Sequence, residues 1–244
     1  MKALFIIMMI SNVIWAKDIQ DSSKRAIASM KQSIRTVQAR ELLGKHYSKS
    51  DVSSFEFKKS LEKNIHNYVS KHLPKEYVKK SRAISQAIID ESFRNELDPY
   101  FLMAVIEGES SFNPMASGPV GELGLMQIRE TTGKWMAELI RMKWSGKKML
   151  KDPIVNIKLG ARYLRWLREK FDGHAQLYLA AYNMGPGNVK DALSRNKWPK
   201  DYPRHVMKRY LNYYEKMRND LEASLIQNVD TLSTLHQDMD LISL

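Results

Sequence analysis

Residues 104–127 read AVIEGESSFNPMASGPVGELGLMQ, and this stretch decides the fold of the chain. It predicts an apolar helix that ends near a glutamate, Glu109, and passes directly into a loop rich in glycine and polar residues. Leu102, Ile106 and Glu109 follow one another at helical spacing, so they share one face. We therefore expect the Glu109 carboxyl to point toward the buried side of the helix. Glu107, about 200° away around the helix, is expected to face solvent.

A carboxyl group in apolar surroundings retains its proton to a higher pH than one in water. Glu109 is therefore a candidate general acid for a leaving glycosidic oxygen. The loop after it offers Ser110 as a short polar neighbour, Gly124 for close approach of a ligand, and Gln127 as an amide partner for an N-acetyl sugar. The alternative is that Glu109 is an ordinary glutamate at the end of a helix.

The remaining signals are also helical. Asp98-Pro99 and Asp152-Pro153 each predict a helix start with an acidic N-cap and a proline in the first turn. Gly185-Pro186-Gly187 predicts a helix end. Alternating residues typical of a long strand are missing, although residues 121–128 have the pattern of a small hairpin. The sequence predicts an all-α fold.

Three segments in this order and spacing, ESSFNP, GLMQ and AYNMGPGNV, resemble the soluble lytic transglycosylase family. LGARYLRWL (Leu159–Leu167) is similar to the family as well. The resemblance covers roughly residues 80–215. It implies the goose-type lysozyme-like fold and cleavage of peptidoglycan.

The resemblance also implies which residues form the site. Glu109 matches the single catalytic glutamate of the family. The substrate-binding positions implied by the motifs are Ser110, Gly124, Leu125, Met126, Gln127, Tyr182 and Asn183. The chain departs from the family pattern at His205, where the family has a late tyrosine. Tyr210, Tyr213 and Tyr214 are the candidates to replace that tyrosine.

The implied reaction uses one carboxyl group. Glu109 protonates the bond that leaves N-acetylmuramic acid, and then accepts a proton as the C6 hydroxyl closes a 1,6-anhydro ring. Neither a metal nor a cofactor is expected. Glu122 is a candidate second carboxylate, which would make the protein a hydrolytic muramidase. Glu122 alternatively braces the loop through hydrogen bonds or a salt bridge. A third alternative is a non-catalytic peptidoglycan-binding or secretion-associated protein on the same fold.

The sequence divides into four segments. Residues 1–16 have the basic start and apolar run of a secretory signal peptide, so we expect export to the periplasm or cell envelope. We expect residues 17–80 to form a basic helical extension and residues 216–244 an amphipathic helical tail. The resemblance implies that residues 81–215 are the catalytic domain. The 17–80 segment carries 15 Lys and Arg against 7 Asp and Glu.

The overall composition narrows the partners. The net charge is +12, and the chain contains no cysteine. The absence of cysteine excludes disulfides, thiolate zinc sites and a lipoprotein cysteine. The positive net charge favours an anionic partner such as cell-wall material, although a solvated basic face is the alternative. We expect peptidoglycan strands as substrate, a cell-envelope or secretion assembly as a candidate partner of the two flanking segments, and no nucleic acid.

Overall fold

The computed structural model describes residues 2–50, 61–216, 218–220 and 223, and the regular structure in this part of the chain is helical. The α-helices are α1 (Lys2–Leu43), α2 (Leu61–His72), α3 (Ser81–Arg94), α4 (Pro99–Ser110), α5 (Glu130–Leu139), α6 (Pro153–Lys170), α7 (Ala175–Met184), α8 (Pro186–Ser194) and α9 (residues 201–216). Short 3₁₀ helices span Gly44–Lys49, Lys75–Lys80 and Lys147–Lys151. The prediction of an all-α fold is confirmed. The segment 121–128 contributes only isolated antiparallel bridges, Ser117 with Leu123 and Leu123 with Ile128.

The two predicted helix starts are confirmed. The Asp98 side chain accepts a hydrogen bond from the Tyr100 backbone N–H, and Pro99 opens α4. The Asp152 side chain accepts from the backbone N–H groups of Ile154 and Val155 at the start of α6. In both helices the cap satisfies backbone donors that have no partner inside the helix.

Helix α4 lies at the centre of the molecule. Every residue from Pro99 to Ile106 is buried. A helix that is apolar on all sides must be surrounded by other elements, because no face of it is suited to water. Helix α3 packs against α2, α4 and α6, and α6 packs in turn against α5 and α7. The last turn of the central helix, which carries Glu109, is therefore anchored to the packed core.

The segment before residue 81 contributes to this core. Ala39 and Leu42 of α1 and Ile65 and Val69 of α2 are buried in the same cluster as the residues of α4. Part of the basic extension is thus packed against the helices that follow residue 80, while residues 22–33 of α1 are exposed.

A buried polar network fixes α1 to the start of α4. The Arg35 side chain is 4% exposed, and its Nε lies 3.4 Å from the Asp98 carboxylate. Tyr210 and Tyr214 donate hydrogen bonds to the same carboxylate, over 3.0 and 2.5 Å. The Gln38 side chain accepts from the Asp98 backbone N–H. Because one carboxylate binds three elements, α1, α4 and α9 hold a fixed relative position.

Other predictions concern the two ends of the chain. Residues 2–16, the greater part of the predicted signal peptide, are helical and continuous with the rest of α1. None of the helices in the described residues has the length and apolar character to cross a membrane. The predicted amphipathic stripe at 216–244 falls almost entirely outside the described residues.

Candidate active site

Glu109 lies in the last turn of α4, at the wall of a cavity of about 520 Å³. The cavity is bounded by part of the segment 118–132, by Tyr163 of α6, and by residues 182–186 at the end of α7 and the start of α8. This volume is in the range of a site for a ligand the size of a few rings. The last turn of the buried helix therefore brings one carboxyl group to an open, mostly polar space.

The surroundings of Glu109 act in opposite directions on its pKa, which suits a carboxyl group that donates a proton and later accepts one. Burial raises the pKa of the Glu109 carboxyl, and the nearby negative charge of Glu122 raises it further. A hydrogen bond from the Tyr202 hydroxyl to Glu109 Oε1, 2.5 Å long, acts in the opposite direction and limits the rise. Burial also holds the pKa of Tyr202 well above its ordinary value, so this hydroxyl stays protonated and remains a donor.

The sequence did not identify Tyr202. It lies near the start of α9, three positions before His205, which is exposed. The family motif predicts a tyrosine at position 205 or later, whereas an earlier tyrosine of the same helix reaches Glu109. The signal that was available is the tyrosine in KDYPRHV, where Pro203 suits a first helical turn.

The three tyrosines suggested as replacements have other partners. Tyr210 and Tyr214 donate to Asp98 at the far end of α4. Tyr213 donates to Glu107 over 2.8 Å. They stabilise the packing of α9 against α4, and their hydroxyl groups are committed away from Glu109.

The prediction that Glu107 faces solvent is wrong. Its side chain is partly buried and accepts hydrogen bonds from Tyr68, over 3.1 Å, and from Tyr213. Helices α2 and α9, which carry these tyrosines, cover the side of α4 that the helical pattern assigned to water. The error arose because residues distant in sequence bury this face.

Glu122 lines the same cavity and is held as an anion. Its Oε1 pairs with the Arg129 guanidinium at 2.9 Å, and its Oε2 accepts from the Val120 backbone N–H at 3.1 Å. Partial burial on its own would raise the pKa of Glu122, but hydrogen bonds from the loop backbone and from Arg129 lower it overall. A Cβ atom at Gly118 would lie 2.5 Å from Glu122 Oε2, so the glycine leaves the room that this carboxylate occupies. These contacts agree with the loop-bracing alternative.

The GLMQ loop divides between the core and the cavity. Leu125 and Met126 are fully buried and belong to the hydrophobic core. Gln127 lines the cavity, and its side-chain amide donates to the backbone carbonyls of Ala116 and Gly124. Of the four loop residues predicted to bind substrate, the structure places only Gln127 at the cavity wall, while Gly124, Leu125 and Met126 support it.

Asn156 of α6 fixes this loop and was not identified from the sequence. Its Oδ1 accepts from the Met126 backbone N–H at 2.7 Å, and its Nδ2 donates to the carbonyls of Leu123 and Leu150, both at 2.8 Å. Gly124 has φ +77, and a Cβ there would lie 2.3 Å from the Leu150 carbonyl oxygen. Glycine is therefore required at position 124, both by the left-handed backbone and by this close approach.

The remaining predicted residues play different parts. The Ser110 hydroxyl donates to the Leu125 carbonyl over 2.8 Å, so it joins the end of α4 to the loop and lies outside the cavity lining. Tyr182 and Asn183 both line the cavity. The Tyr182 hydroxyl donates to the Met126 carbonyl over 2.7 Å, which fixes the ring at the cavity wall close to Glu109.

Comparison with known proteins places these residues in a recognised domain. The family model described as the transglycosylase SLT domain matches residues 86–204. The chain is 34% identical over 102 residues to the soluble lytic murein transglycosylase of Escherichia coli. The aligned region covers 41% of this chain and 16% of that protein. It is 31% identical over 158 residues to the membrane-bound lytic murein transglycosylase F of Pseudoalteromonas translucida, covering 57% of this chain and 32% of that protein.

Solved structures give the same result for the fold. An inactive mutant of the lytic transglycosylase Slt of Pseudomonas aeruginosa matches with a TM-score of 0.51 and 28% identity, over 58% of this chain and 25% of that one. The 70 kDa soluble lytic transglycosylase of Escherichia coli matches with a TM-score of 0.50 and 23% identity, over 70% of this chain and 31% of that one. The chain spans less than a third of the length of each of these proteins.

Proposed function

Because residues 86–204 match the family model of the transglycosylase SLT domain, we propose that the protein is a peptidoglycan lytic transglycosylase. The substrate is the β-1,4 bond between N-acetylmuramic acid and N-acetylglucosamine. The observation that carries the proposal is the pairing of a partly buried carboxyl of raised pKa, Glu109, with a protonated tyrosine at the edge of a large cavity.

The proposed reaction has two proton transfers at one residue. Protonated Glu109 donates to the glycosidic oxygen, and the bond to the anomeric carbon breaks as N-acetylglucosamine leaves. The ionised Glu109 then accepts the proton of the muramic acid C6 hydroxyl, whose oxygen bonds to the anomeric carbon and closes the 1,6-anhydro ring. The Tyr202 hydroxyl stabilises the carboxylate between the two transfers and holds it in position.

A hydrolytic muramidase is the second candidate, favoured by the presence of Glu122 in the same cavity. In that reaction Glu122 would serve as the second carboxylate beside an attacking water. Its salt bridge with Arg129 and its lowered pKa leave it a weak base, which supports the transglycosylase. A non-catalytic wall-binding or secretion-associated role is the third candidate, and the cavity-lining Glu109 argues against it.

The test is digestion of purified sacculi followed by mass spectrometry of the released muropeptides. The wild-type protein is expected to release anhydro-ended products, and Glu109→Gln to lower the rate at least about a hundredfold. Glu122→Gln serves as the matched variant and is expected to retain anhydro products. Reducing ends from the wild-type protein, lost in Glu122→Gln, would instead establish the muramidase. Release by Glu109→Gln at the wild-type rate would contradict both.

The same proposal places the protein in the cell envelope. The relatives are named murein transglycosylases, one of them membrane-bound, and a murein substrate lies outside the cytoplasm. We propose that residues 1–16 direct export and that 81–215 is the catalytic domain. The flanking segments 17–80 and 216–244 are proposed to contact an envelope or secretion assembly.

A further inference from the structure

Four aromatic rings continue from the cavity wall across the outer surface of α5 and α6. The ring centroids of Tyr182 and Tyr163 are 5.6 Å apart, those of Tyr163 and Trp166 are 6.0 Å apart, and those of Trp166 and Trp135 are 4.7 Å apart. Tyr163 and Tyr182 line the cavity, whereas the two tryptophans lie beyond its lining. We call these four residues the aromatic track.

Helical spacing explains why the track is continuous with the cavity. On α5, Trp135 follows the cavity-lining Thr131 at i+4, so both lie on one face. On α6, Trp166 follows Tyr163 at i+3 and likewise shares its face. Trp135 and Trp166 therefore extend the cavity wall by one helical turn on each of these neighbouring helices, and we call this extended wall the groove.

The outer part of the track is open to solvent. Trp135 is 39% exposed, although burying an indole is one of the larger apolar gains available to a side chain. Leu139, one turn further along α5, is 46% exposed, so the apolar face continues. Lys170 places its ammonium over the Trp166 ring, 4.8 Å from the centroid, and covers one face of it, so Trp135 is the more open of the two tryptophans.

We infer that the aromatic track is an additional binding site for the glycan strand, occupied by sugar units beyond those held in the cavity. The face of a pyranose ring carries C–H groups with a small positive charge, and these pack on the electron-rich faces of aromatic rings. A strand lying on Tyr182 and Tyr163 in the cavity reaches Trp135 and Trp166 by continuing along the groove. The inference rests on the proposed function for the identity of the ligand, and it adds a preference for long strands.

The first test measures binding without cleavage. Trp135→Ala is made in the Glu109→Gln background, and its affinity for long, soluble peptidoglycan glycan strands and for a single disaccharide–peptide unit is measured by calorimetry. Affinity for the long strands is expected to fall about tenfold, with no change for the short ligand. Trp135→Phe, which keeps an aromatic face, is expected to restore most of the loss.

Trp198 provides the matched control, because it is 55% exposed and lies outside the cavity lining. Trp198→Ala is expected to bind the long strands as the parent does. An equal loss in Trp198→Ala, an equal loss for both ligands in Trp135→Ala, or unchanged affinity in Trp135→Ala would each overturn the inference. Unchanged thermal unfolding of Trp135→Ala separates lost binding from lost folding.

The second test uses the otherwise wild-type enzyme. Trp135→Ala is expected to raise KM for long strands about tenfold and to leave kcat within about twofold, because the residue binds substrate equally before and during reaction. If the wild-type protein cleaves no glycan, the proposed function fails. The binding experiment in the Glu109→Gln background still decides the inference in that case.

Discussion

At the scale of single residues, Glu109 and Tyr202 set the proton chemistry of the cavity. Glu109 is partly desolvated at the end of α4, and Tyr202 reaches it from α9 with a hydroxyl that stays protonated. Desolvation makes the carboxyl hold its proton, and the tyrosine favours the ionised form. The two effects oppose one another, and desolvation outweighs the hydrogen bond, so the pKa of the carboxyl stays above its ordinary value.

Tyr202→Phe is expected to lower kcat about ten- to a hundredfold, because the Glu109 carboxyl loses the contact that positions it. The hydrogen bond lowers the pKa of Glu109, so its loss raises that pKa. The alkaline limb of kcat/KM, where Glu109 loses its proton, should therefore move to higher pH. A full pH profile of the cleavage rate measures both effects.

Tyr213→Phe is the matched control, since it removes a tyrosine hydroxyl from Glu107 on another face of the same helix. Its alkaline limb should stay at the wild-type position. A limb that moves in Tyr213→Phe and stays fixed in Tyr202→Phe would contradict the role of Tyr202.

Glu109→Gln is expected to stabilise the fold at neutral pH. The folded-state pKa of Glu109 is raised, so folding favours its protonated form, and stability is lost as the pH rises through that pKa. Glutamine cannot ionise and avoids this loss. Thermal unfolding should give a higher Tm for the variant at pH 7, and the difference should vanish below about pH 4.5, the ordinary value for glutamate. Equal Tm values at both pH values would refute the raised pKa.

At the scale of elements, α1 is tied to the start of the central helix by Arg35. Its guanidinium donates to Tyr214 over 2.7 Å and pairs with the Asp98 carboxylate, which also caps α4. A second connection joins α1 to α6, where Arg168 donates to both oxygens of Glu41 at 2.7 and 2.5 Å. The last part of α1 is therefore fixed to the same packed helices as α4, which carries Glu109.

Arg35→Met is expected to lower the free energy of unfolding by about 3–5 kcal/mol, because Asp98 keeps a buried charge without its cation. Urea unfolding measures the change. Arg25→Met, at an exposed position of the same helix, should change it by less than about 0.5 kcal/mol. Similar values for the two variants would show that the Arg35 network contributes little.

Local signals in the sequence predicted helix starts and Glu109, but they did not predict contacts between residues far apart in the chain. Asp98-Pro99 and Asp152-Pro153 specify helix starts within two or three residues, and both starts were predicted. The ESSFNP motif likewise led to Glu109 and to the cavity beside it. Arg35, by contrast, meets a partner 63 positions away, and Tyr202 meets one 93 positions away. Contacts at that separation depend on packing, which helical periodicity alone does not encode.

At the scale of the whole molecule, the chain has a positive net charge, and several of its basic side chains are exposed on α1. The net charge is +12, and the exposed part of α1 includes Lys24, Arg25 and Lys31. Peptidoglycan, the substrate under the proposed function, carries peptide carboxylates, so charge would add a long-range attraction to the shorter-range contacts of the cavity. This attraction acts on the rate and strength of wall association more than on the chemistry at Glu109.

Association with sacculi is expected to weaken roughly tenfold when the salt concentration rises from about 0.1 M to about 1 M, as the screening length falls from about 10 Å to about 3 Å. Co-sedimentation of Glu109→Gln with purified sacculi measures it without digestion. Chitin, a neutral polymer of N-acetylglucosamine, provides the control and should show little dependence on salt. Salt-independent binding to sacculi would assign association to uncharged contacts.

The position of Glu109 in the final turn of α4 has a consequence for the direction of proton transfer. Aligned peptide dipoles give the C-terminal end of a helix a partial negative charge of about half an elementary charge. A carboxylate formed there is repelled by the carbonyl groups beside it, and this repulsion ends when a proton returns. The orientation of the chain therefore keeps Glu109 protonated until the first proposed transfer, which it opposes, and assists the second, whereas the same glutamate at the opposite end of the helix would be stabilised as an anion.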